Sequence, residues 1–184
     1  MADTVKETEK KMKKSVEALQ DNLNSIRTGR ATASLFDKIY VDYYGQKTPI
    51  NQLASISIPE ARLVVIQPWD KSVLQDVERA IQKSDLSVNP NNDGKLIRIN
   101  IPPLTEERRK DLVKHAKNTA EQTRVSIRNV RRDANDELKK EQKNSDVSED
   151  EAKRLMDEVQ KLTDKYIEEV DKLLEKKENE IMEV

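Results

Sequence analysis

Three long segments of the chain carry apolar residues at alternating steps of three and four, the spacing of one face of an α-helix. They span residues 5–26, 105–140 and 148–181. The third segment opens with Ser148 and Glu151, a capping-box pair, and its apolar seam includes Leu162. A helix with one apolar stripe buries that stripe against other helices. The pattern therefore predicts a bundle of three long helices.

The segment between the first two helices has a different periodicity. Apolar and polar residues alternate there in several short stretches, which is typical of β-strands. A helical rhythm interrupts them once, and a stretch rich in Asn, Pro and Gly predicts a loop. The predicted strands lie at 39–43, 56–58, 63–66 and 96–101, the short helix at 72–84 and the loop at 89–94.

This order of elements predicts an α+β fold with a discontinuous helical domain. Since the first helix must rejoin the other two, residues 1–29 and 104–184 form the three-helix bundle, and residues 30–103 form a small inserted α/β or β-rich domain. The chain crosses between the two twice. Glycine is permissive in its dihedral angles and proline is restrictive, so these crossings are either a hinge or an ordinary helix end with a stiff linker. The candidate hinge residues are Thr28, Gly29, Arg30, Ala31, Pro102 and Pro103.

A second stripe on the middle helix is cationic. Residues 105–140 hold 11 Lys and Arg against 7 Asp and Glu, whereas residues 141–184 hold 8 against 15. The cations recur at helical spacing about 100° round from the apolar stripe. The stripe consists of Lys110, Lys114, Lys117, Arg124, Arg128 and Arg131, and together with the adjacent Arg132 we call it the basic ridge.

Two interpretations of the basic ridge are open. In a chain with 38% charged residues, any exposed helix face is rich in charge. However, Arg128, Arg131 and Arg132 fall within one and a half turns, and few acidic residues lie near them at the spacing that forms helical ion pairs. Guanidinium groups placed in this way are suited to phosphate oxygens.

The composition argues against catalysis. The chain has no cysteine, one histidine and three scattered glycines, so it offers no thiolate site, histidine cluster or glycine-rich phosphate loop. We expect no enzymatic activity, no metal and no cofactor. The charged N-terminus lacks the apolar run of a signal peptide, and no segment has membrane-spanning length. We therefore expect a soluble, cytoplasmic protein without a membrane partner.

Few aromatic residues are available for recognition. Trp69 follows a predicted strand, where a lone tryptophan is expected to pack on the small core rather than stack on a base or a partner. Tyr43 and Tyr44 are adjacent, and neighbouring strand residues point to opposite faces. We expect one of the two tyrosines to be exposed.

Four motifs resemble the signature of the bacterial ribosome recycling factor family. They are IRTGRA at 26–31, YYG at 43–45, PPLTEERRKDL at 102–112 and RNVRRDAN at 128–135. The similarity extends over essentially the whole chain, including its length and the order of helix, insert, helix and helix.

The resemblance implies a fold and a function. It implies a three-helix bundle joined by a flexible hinge to a β/α/β domain, in an L shape of roughly transfer-RNA dimensions. It also implies a non-enzymatic monomer that binds the 70S ribosome after termination. Elongation factor G, using GTP, then drives separation of the subunits and release of mRNA and deacylated tRNA. The inserted domain would face elongation factor G.

The same resemblance implies which residues contact RNA. Large-subunit ribosomal RNA would be bound by Arg128, Arg131 and Arg132, together with Arg109, Lys110, Lys114, Lys117 and Arg124. An alternative from another class is a helical RNA-binding adaptor or chaperone without a role in splitting ribosomes. The inserted domain on its two-stranded connection favours the recycling factor, since an adaptor has no need of it.

Overall fold

The computed structural model describes residues 2–183, in which four α-helices and six β-strands are present. The helices are α1 (Ala2–Asn24), α2 (Leu74–Gln82), α3 (Glu106–Lys143) and α4 (Glu149–Met182). The strands are β1 (Tyr40–Tyr43), β2 (Gln46–Pro49), β3 (Ala54–Glu60), β4 (Leu63–Pro68), β5 (Pro90–Asn92) and β6 (Ile97–Asn100). The α+β class predicted from the sequence is confirmed.

The chain folds as two compact units. The first contains the chain up to Leu23 together with Val113–Asn179, and the second contains Asn24–Leu112 together with the residues from Glu180 on. Long helices make up the first unit, and all six strands lie in the second.

Three helices bury their apolar seams against one another in the first unit. A cluster of α3 and α4 residues packs with Val5 of α1; it consists of Ala134, Leu138, Leu155 and Val159. Two polar contacts tie α1 to the other helices. The Thr4 hydroxyl donates to Glu141 of α3 over 3.3 Å, and the Tyr166 hydroxyl of α4 donates to Glu9 over 3.1 Å. Each pair of long helices is therefore in contact.

The hydroxyl of Tyr166 lies in a protected environment. Burial, followed by the hydrogen bond to Glu9, raises the pKa of Tyr166 to about 12. The phenol thus stays protonated at neutral pH and remains a donor between α4 and α1.

The first turns of α3 and α4 are capped by hydroxyl groups. The Thr105 Oγ1 accepts a hydrogen bond from the backbone N–H of Arg108 over 3.1 Å, and the Ser148 Oγ accepts one from Glu151 over 3.1 Å. Each bond satisfies a backbone donor that has no partner within its own helix. The capping signal that the sequence carries at Ser148 is thus realised in the structure.

A four-stranded antiparallel sheet in the order β3-β4-β6-β5 forms the second unit, together with the β1-β2 hairpin and α2. One core joins these elements, and its fully buried residues include Phe36, Ile66, Ile81 and Ile97. The turn between β3 and β4 binds both ends of this region. Ala31 N–H donates to the carbonyl of Ala61 over 2.8 Å, and Ile101 N–H donates to that of Arg62 over 2.7 Å.

Three sequence expectations differ from the structure. Helix α1 ends at Asn24 and not near Gly29, and the Ser34 hydroxyl donates to the Asn24 carbonyl over 3.2 Å. The expected loop at 89–94 contains β5, because Pro90 and its neighbours pair with β6. Proline is tolerated at the first residue of an edge strand. The sequence also does not predict β2, which is polar and is defined by its pairing with β1.

Within α4, the core seam is shifted from the expected one. Thr163 is buried, and its hydroxyl donates to the Val159 carbonyl over 2.8 Å, whereas the neighbouring Leu162 is only half-buried. The bond to the preceding turn satisfies the hydroxyl, so a threonine can occupy a core position.

We expect Leu138→Ala to lower the free energy of unfolding by about 2–5 kcal/mol, because Leu138 is fully buried and its truncation leaves a cavity. The same change at the half-buried Leu162 should cost only about 1 kcal/mol. Urea unfolding followed by circular dichroism at the helical band compares the two. Equal losses would contradict the seam that the structure assigns to α4.

Candidate nucleic-acid interface

Helix α3 carries every residue that was expected to bind RNA, but the side chains differ in exposure. The exposed ones are Lys110, Lys114, Lys117 and Arg132, and the half-buried ones are Arg109, Arg124, Arg128 and Arg131. Arg109 and Lys110 belong to the second unit, and the other six belong to the first. The eight cations therefore differ both in their exposure and in the unit to which they belong.

Arg124 is tied to α4. Its Nε and Nη2 donate to Asp171 Oδ1 over 2.9 and 2.6 Å, and its Nη1 donates to Glu121 over 3.0 Å. Only 18% of its side chain is exposed. Burial lowers the pKa of Arg124, but the hydrogen bonds to Asp171 and Glu121 outweigh this and raise it. This guanidinium thus joins two helices and has little surface left for a ligand.

Glu121 neutralises part of the basic ridge. Its two carboxylate oxygens accept from Arg124 over 3.0 Å and from Arg128 over 3.3 Å. The hydrogen bond from Arg124, followed by that from Arg128, holds the pKa of Glu121 below its ordinary value. Arg128 therefore has an acidic partner seven residues away, although no acidic residue lies three or four residues from it. The spacing of Glu121 and Arg124 could have indicated their pair, whereas Asp171 is distant in sequence.

Arg131 is held by a neutral partner. Its Nη1 donates to Gln160 of α4 over 3.2 Å, while its buried Nε has no hydrogen-bond partner in the described part of the chain. Among residues 3–183, the side chains of Arg132, Lys114 and Lys117 make no hydrogen bond or ion pair. These three cations, with the outer parts of Arg128 and Arg131, are the part of the basic ridge in the first unit that is available to a ligand.

In the second unit, Lys110 forms an exposed ion pair with Glu106 over 3.7 Å. Exposed pairs of this kind contribute little to stability and leave the charge accessible. Arg109 is half-buried, and its Nε lacks a partner among the described residues.

Of the two expectations about aromatic residues in the second unit, one is wrong and one is confirmed. Trp69 is 68% exposed, so the expected packing on the core is wrong. The preceding Pro68 occupies the buried position, and alternation along the strand turns Trp69 outward. Tyr44 is 85% exposed, while Tyr43 is half-buried and donates to Asp70 over 3.3 Å. The expectation that one of the two tyrosines is exposed is confirmed.

The described residues offer neither a metal site nor a membrane span. No group of three or more His, Cys, Asp or Glu side chains in residues 3–183 has the geometry to hold a metal ion. None of the described helices combines the length and the apolar character that crossing a membrane requires.

Comparisons with known proteins agree with one another. The family model described as ribosome recycling factor matches residues 19–182. The chain is 63% identical to the ribosome-recycling factor of Treponema denticola over 178 residues, covering 97% of this chain and 96% of that protein. It is 58% identical to that of Halalkalibacterium halodurans over 182 residues, covering 99% and 98%.

Two solved structures of such factors are similar along their whole length. A solution structure of a ribosome recycling factor matches with a TM-score of 0.80 and 47% identity, covering 100% of this chain and 97% of that one. The second match has a TM-score of 0.68 and 50% identity, covering 98% of each chain. It comes from models of the T. thermophilus ribosome recycling factor and the E. coli elongation factor G bound to the E. coli post-termination complex.

The pairing of Glu121 with two arginines predicts a pH dependence. Because its pKa is lowered in the folded protein, its stabilising effect is present above the ordinary carboxyl pKa and is lost as the pH falls through the folded value. Glu121→Gln should remove this part of the acid sensitivity, and Glu17→Gln, at an exposed position of α1, should not. Unfolding titrations between neutral and acidic pH measure the difference. Titration of the Glu121 carboxyl at an ordinary pKa, followed by NMR, would contradict the pairing.

Proposed function

Because the chain belongs to the ribosome recycling factor family, we propose how its two units perform the function of that family. The protein binds the post-termination ribosome and, with elongation factor G and GTP, promotes separation of the subunits. The mRNA and deacylated tRNA are released, and the subunits become available for new initiation. The chemical energy comes from the GTP used by elongation factor G, so this chain itself needs neither a catalytic site nor a cofactor.

The helical unit is proposed to bind large-subunit ribosomal RNA through α3. The observation that carries this proposal is the set of exposed, unpaired cations Lys114, Lys117 and Arg132 on a helix packed against its neighbours. Cations that neutralise phosphates release condensed counterions, which gives affinity that falls steeply with salt. Arg128 and Arg131 add to this surface. Arg109 and Lys110 are proposed contacts nearer the start of the helix.

Arg124 has a different part in this proposal. Its bonds to Asp171 and Glu121 fix α3 against α4, so it holds the binding surface in shape and contributes less to RNA contact than its neighbours. A rigid surface loses less conformational entropy on binding than a flexible one.

The proposed domains are the bundle of residues 1–29 and 104–184 and the insert of residues 30–103. The hydrogen bonds of Ala31 and Ile101 to the β3–β4 turn support these limits, because they fix the two ends of the insert to its own sheet. Bending would then be concentrated at these two bonds and in the residues next to them. In hinge motions a few residues at the ends of elements absorb the change in backbone angles. The proposed hinge consists of Thr28, Gly29, Arg30, Ala31, Pro102 and Pro103.

The insert is proposed to contact elongation factor G. Residues 30–103 hold nine basic and eight acidic residues, so they lack the excess of positive charge found on α3. Exposed Trp and Tyr side chains are typical of protein interfaces, and Trp69 and Tyr44 provide them here. The protein would act in the cytoplasm as a monomer, without catalysing a reaction of its own.

Light scattering of post-termination ribosomes tests the function. The signal should fall only when the protein, elongation factor G and GTP are all present. Arg132→Gln should weaken binding to the ribosome and slow splitting at low factor concentration, because one phosphate contact is lost. Arg154→Gln is the matched control, since Arg154 pairs with Glu151 and Glu158 on its own helix.

Two results would contradict the proposal. Salt-sensitive RNA binding without any splitting would instead indicate a helical RNA-binding adaptor. Equal effects of Arg132→Gln and Arg154→Gln would show that net charge, and not the basic ridge, determines binding.

A further inference from the structure

The turn that joins β1 to β2 holds a residue in an unfavourable backbone conformation. Tyr43 pairs with Gln46, so Tyr44 and Gly45 are the two residues of the hairpin loop. Their φ angles are 51° and 79°. A two-residue loop with positive φ at both positions has the character of a type I′ turn, for which Asn-Gly is a preferred sequence. Gly45 fits this preference, and Tyr44 does not.

A large side chain is unfavourable at the first position of such a loop. In the left-handed region the Cβ atom comes too close to the following carbonyl oxygen, and a bulky residue there is an outlier. Asn is tolerated because its short side chain can form a local hydrogen bond. Among residues 2–183, the other non-glycine residues with positive φ are Ser87 and Ser145, which are both small. Within this part of the chain, Tyr44 is therefore the one large residue in this conformation.

The fold gains little from the side chain of Tyr44. It is 85% exposed, more than any other large apolar or aromatic residue in the described chain. Its ring meets the ring of Tyr43 edge to face, with the centroids 4.5 Å apart. Tyr43 is held independently of this contact, because its hydroxyl donates to Asp70 over 3.3 Å. Backbone strain that persists in a fold is concentrated at functional sites, so this combination indicates a contact outside the chain.

A second exposed aromatic residue lies at this end of the unit. Tyr43 connects the turn to Asp70 through its hydrogen bond, and Trp69 is the neighbour of Asp70 in the chain. The side chain of Trp69 is 68% exposed. Tyr and Trp are the residues, together with Arg, that most often dominate the binding energy of protein interfaces.

The charges near the turn favour a protein partner over RNA. Residues 40–49 hold one acidic and one basic residue, and these two, Asp42 and Lys47, lie opposite each other in the hairpin. Hydrogen bonds from Ser72 hold the pKa of Asp70 below its ordinary value, so this carboxylate is ionised beside Tyr43. Binding to a phosphate backbone needs an excess of cations, which this hairpin lacks.

We propose that Tyr44 is the anchor by which the insert binds elongation factor G, with its ring in a pocket on the surface of that factor. This inference rests on the proposed ribosomal function, and it assigns to one residue a contact that was proposed for the insert as a whole. A tyrosine ring has only two rotatable side-chain bonds, and the short turn fixes the backbone that carries it. Little conformational entropy is therefore lost when the ring is buried by the partner.

The substitution Tyr44→Asn separates the anchor from the turn. Because Asn-Gly suits the loop, the urea midpoint of the insert should equal or exceed that of the parent protein. The fluorescence of Trp69, the only tryptophan of the chain, reports this midpoint. The concentration of elongation factor G that gives half-maximal splitting of ribosomes should nevertheless rise about 10- to 30-fold, because an aromatic anchor is lost.

Two further variants serve as controls. Ser87 is exposed, has a φ of 54° and belongs to the same unit, so Ser87→Asn places Asn in the same backbone region without removing a ring. It should split ribosomes at the same concentration of elongation factor G as the parent protein. Tyr44→Phe keeps the ring, and it should retain most of the response to elongation factor G that Tyr44→Asn loses.

Three results would overturn the inference. A parent-like response of Tyr44→Asn to elongation factor G would show that the ring is not an anchor. A lower urea midpoint of this variant would show that the ring stabilises the hairpin. Weaker binding of this variant to ribosomes without elongation factor G would show that the ring contacts the ribosome. Failure of the parent protein to split ribosomes with elongation factor G and GTP would instead contradict the proposed function.

Discussion

Burial of one apolar seam by each long helix is the constraint on which the rest of this structure depends. None of these helices can cover its own stripe, and α1 is separated from α3 by the whole of the strand-rich segment. Val5 of α1 nevertheless packs against the cluster that Ala134 and Leu138 of α3 form with residues of α4. This contact returns the N-terminal segment to the bundle, so the strand-rich segment must leave the helices and come back to them.

Once the seams are buried, the outer face of α3 is fixed, and its charges are divided into two groups. Arg124 is bound to Asp171 and Glu121, so it serves the contact between α3 and α4. Arg132 and Lys114 remain without partners in the described chain and can meet a ligand. The same helix therefore uses one cation to hold α3 against α4, and other cations remain available on its exposed surface.

In the second unit, the sheet holds both ends of the inserted segment. Ala31 and Ile101 are hydrogen-bonded to neighbouring residues of one turn, Ala61 and Arg62, so a single turn fixes the two ends. Arg27 adds a further link by donating to the Pro102 carbonyl. Burial lowers the pKa of Arg27, and the nearby charge of Arg108 lowers it further.

The sequence by itself determined the three amphipathic helices, the α+β class, the cap at Ser148 and the family, because helical periodicity and contiguous motifs are local properties of the chain. It could not determine β5, the burial of Thr163 in place of Leu162, or the outward position of Trp69. Nor could it show that Asp171 neutralises Arg124. Each of these depends on a strand, a helix or a side chain elsewhere in the fold, and only the tertiary structure brings such partners within hydrogen-bonding or packing distance.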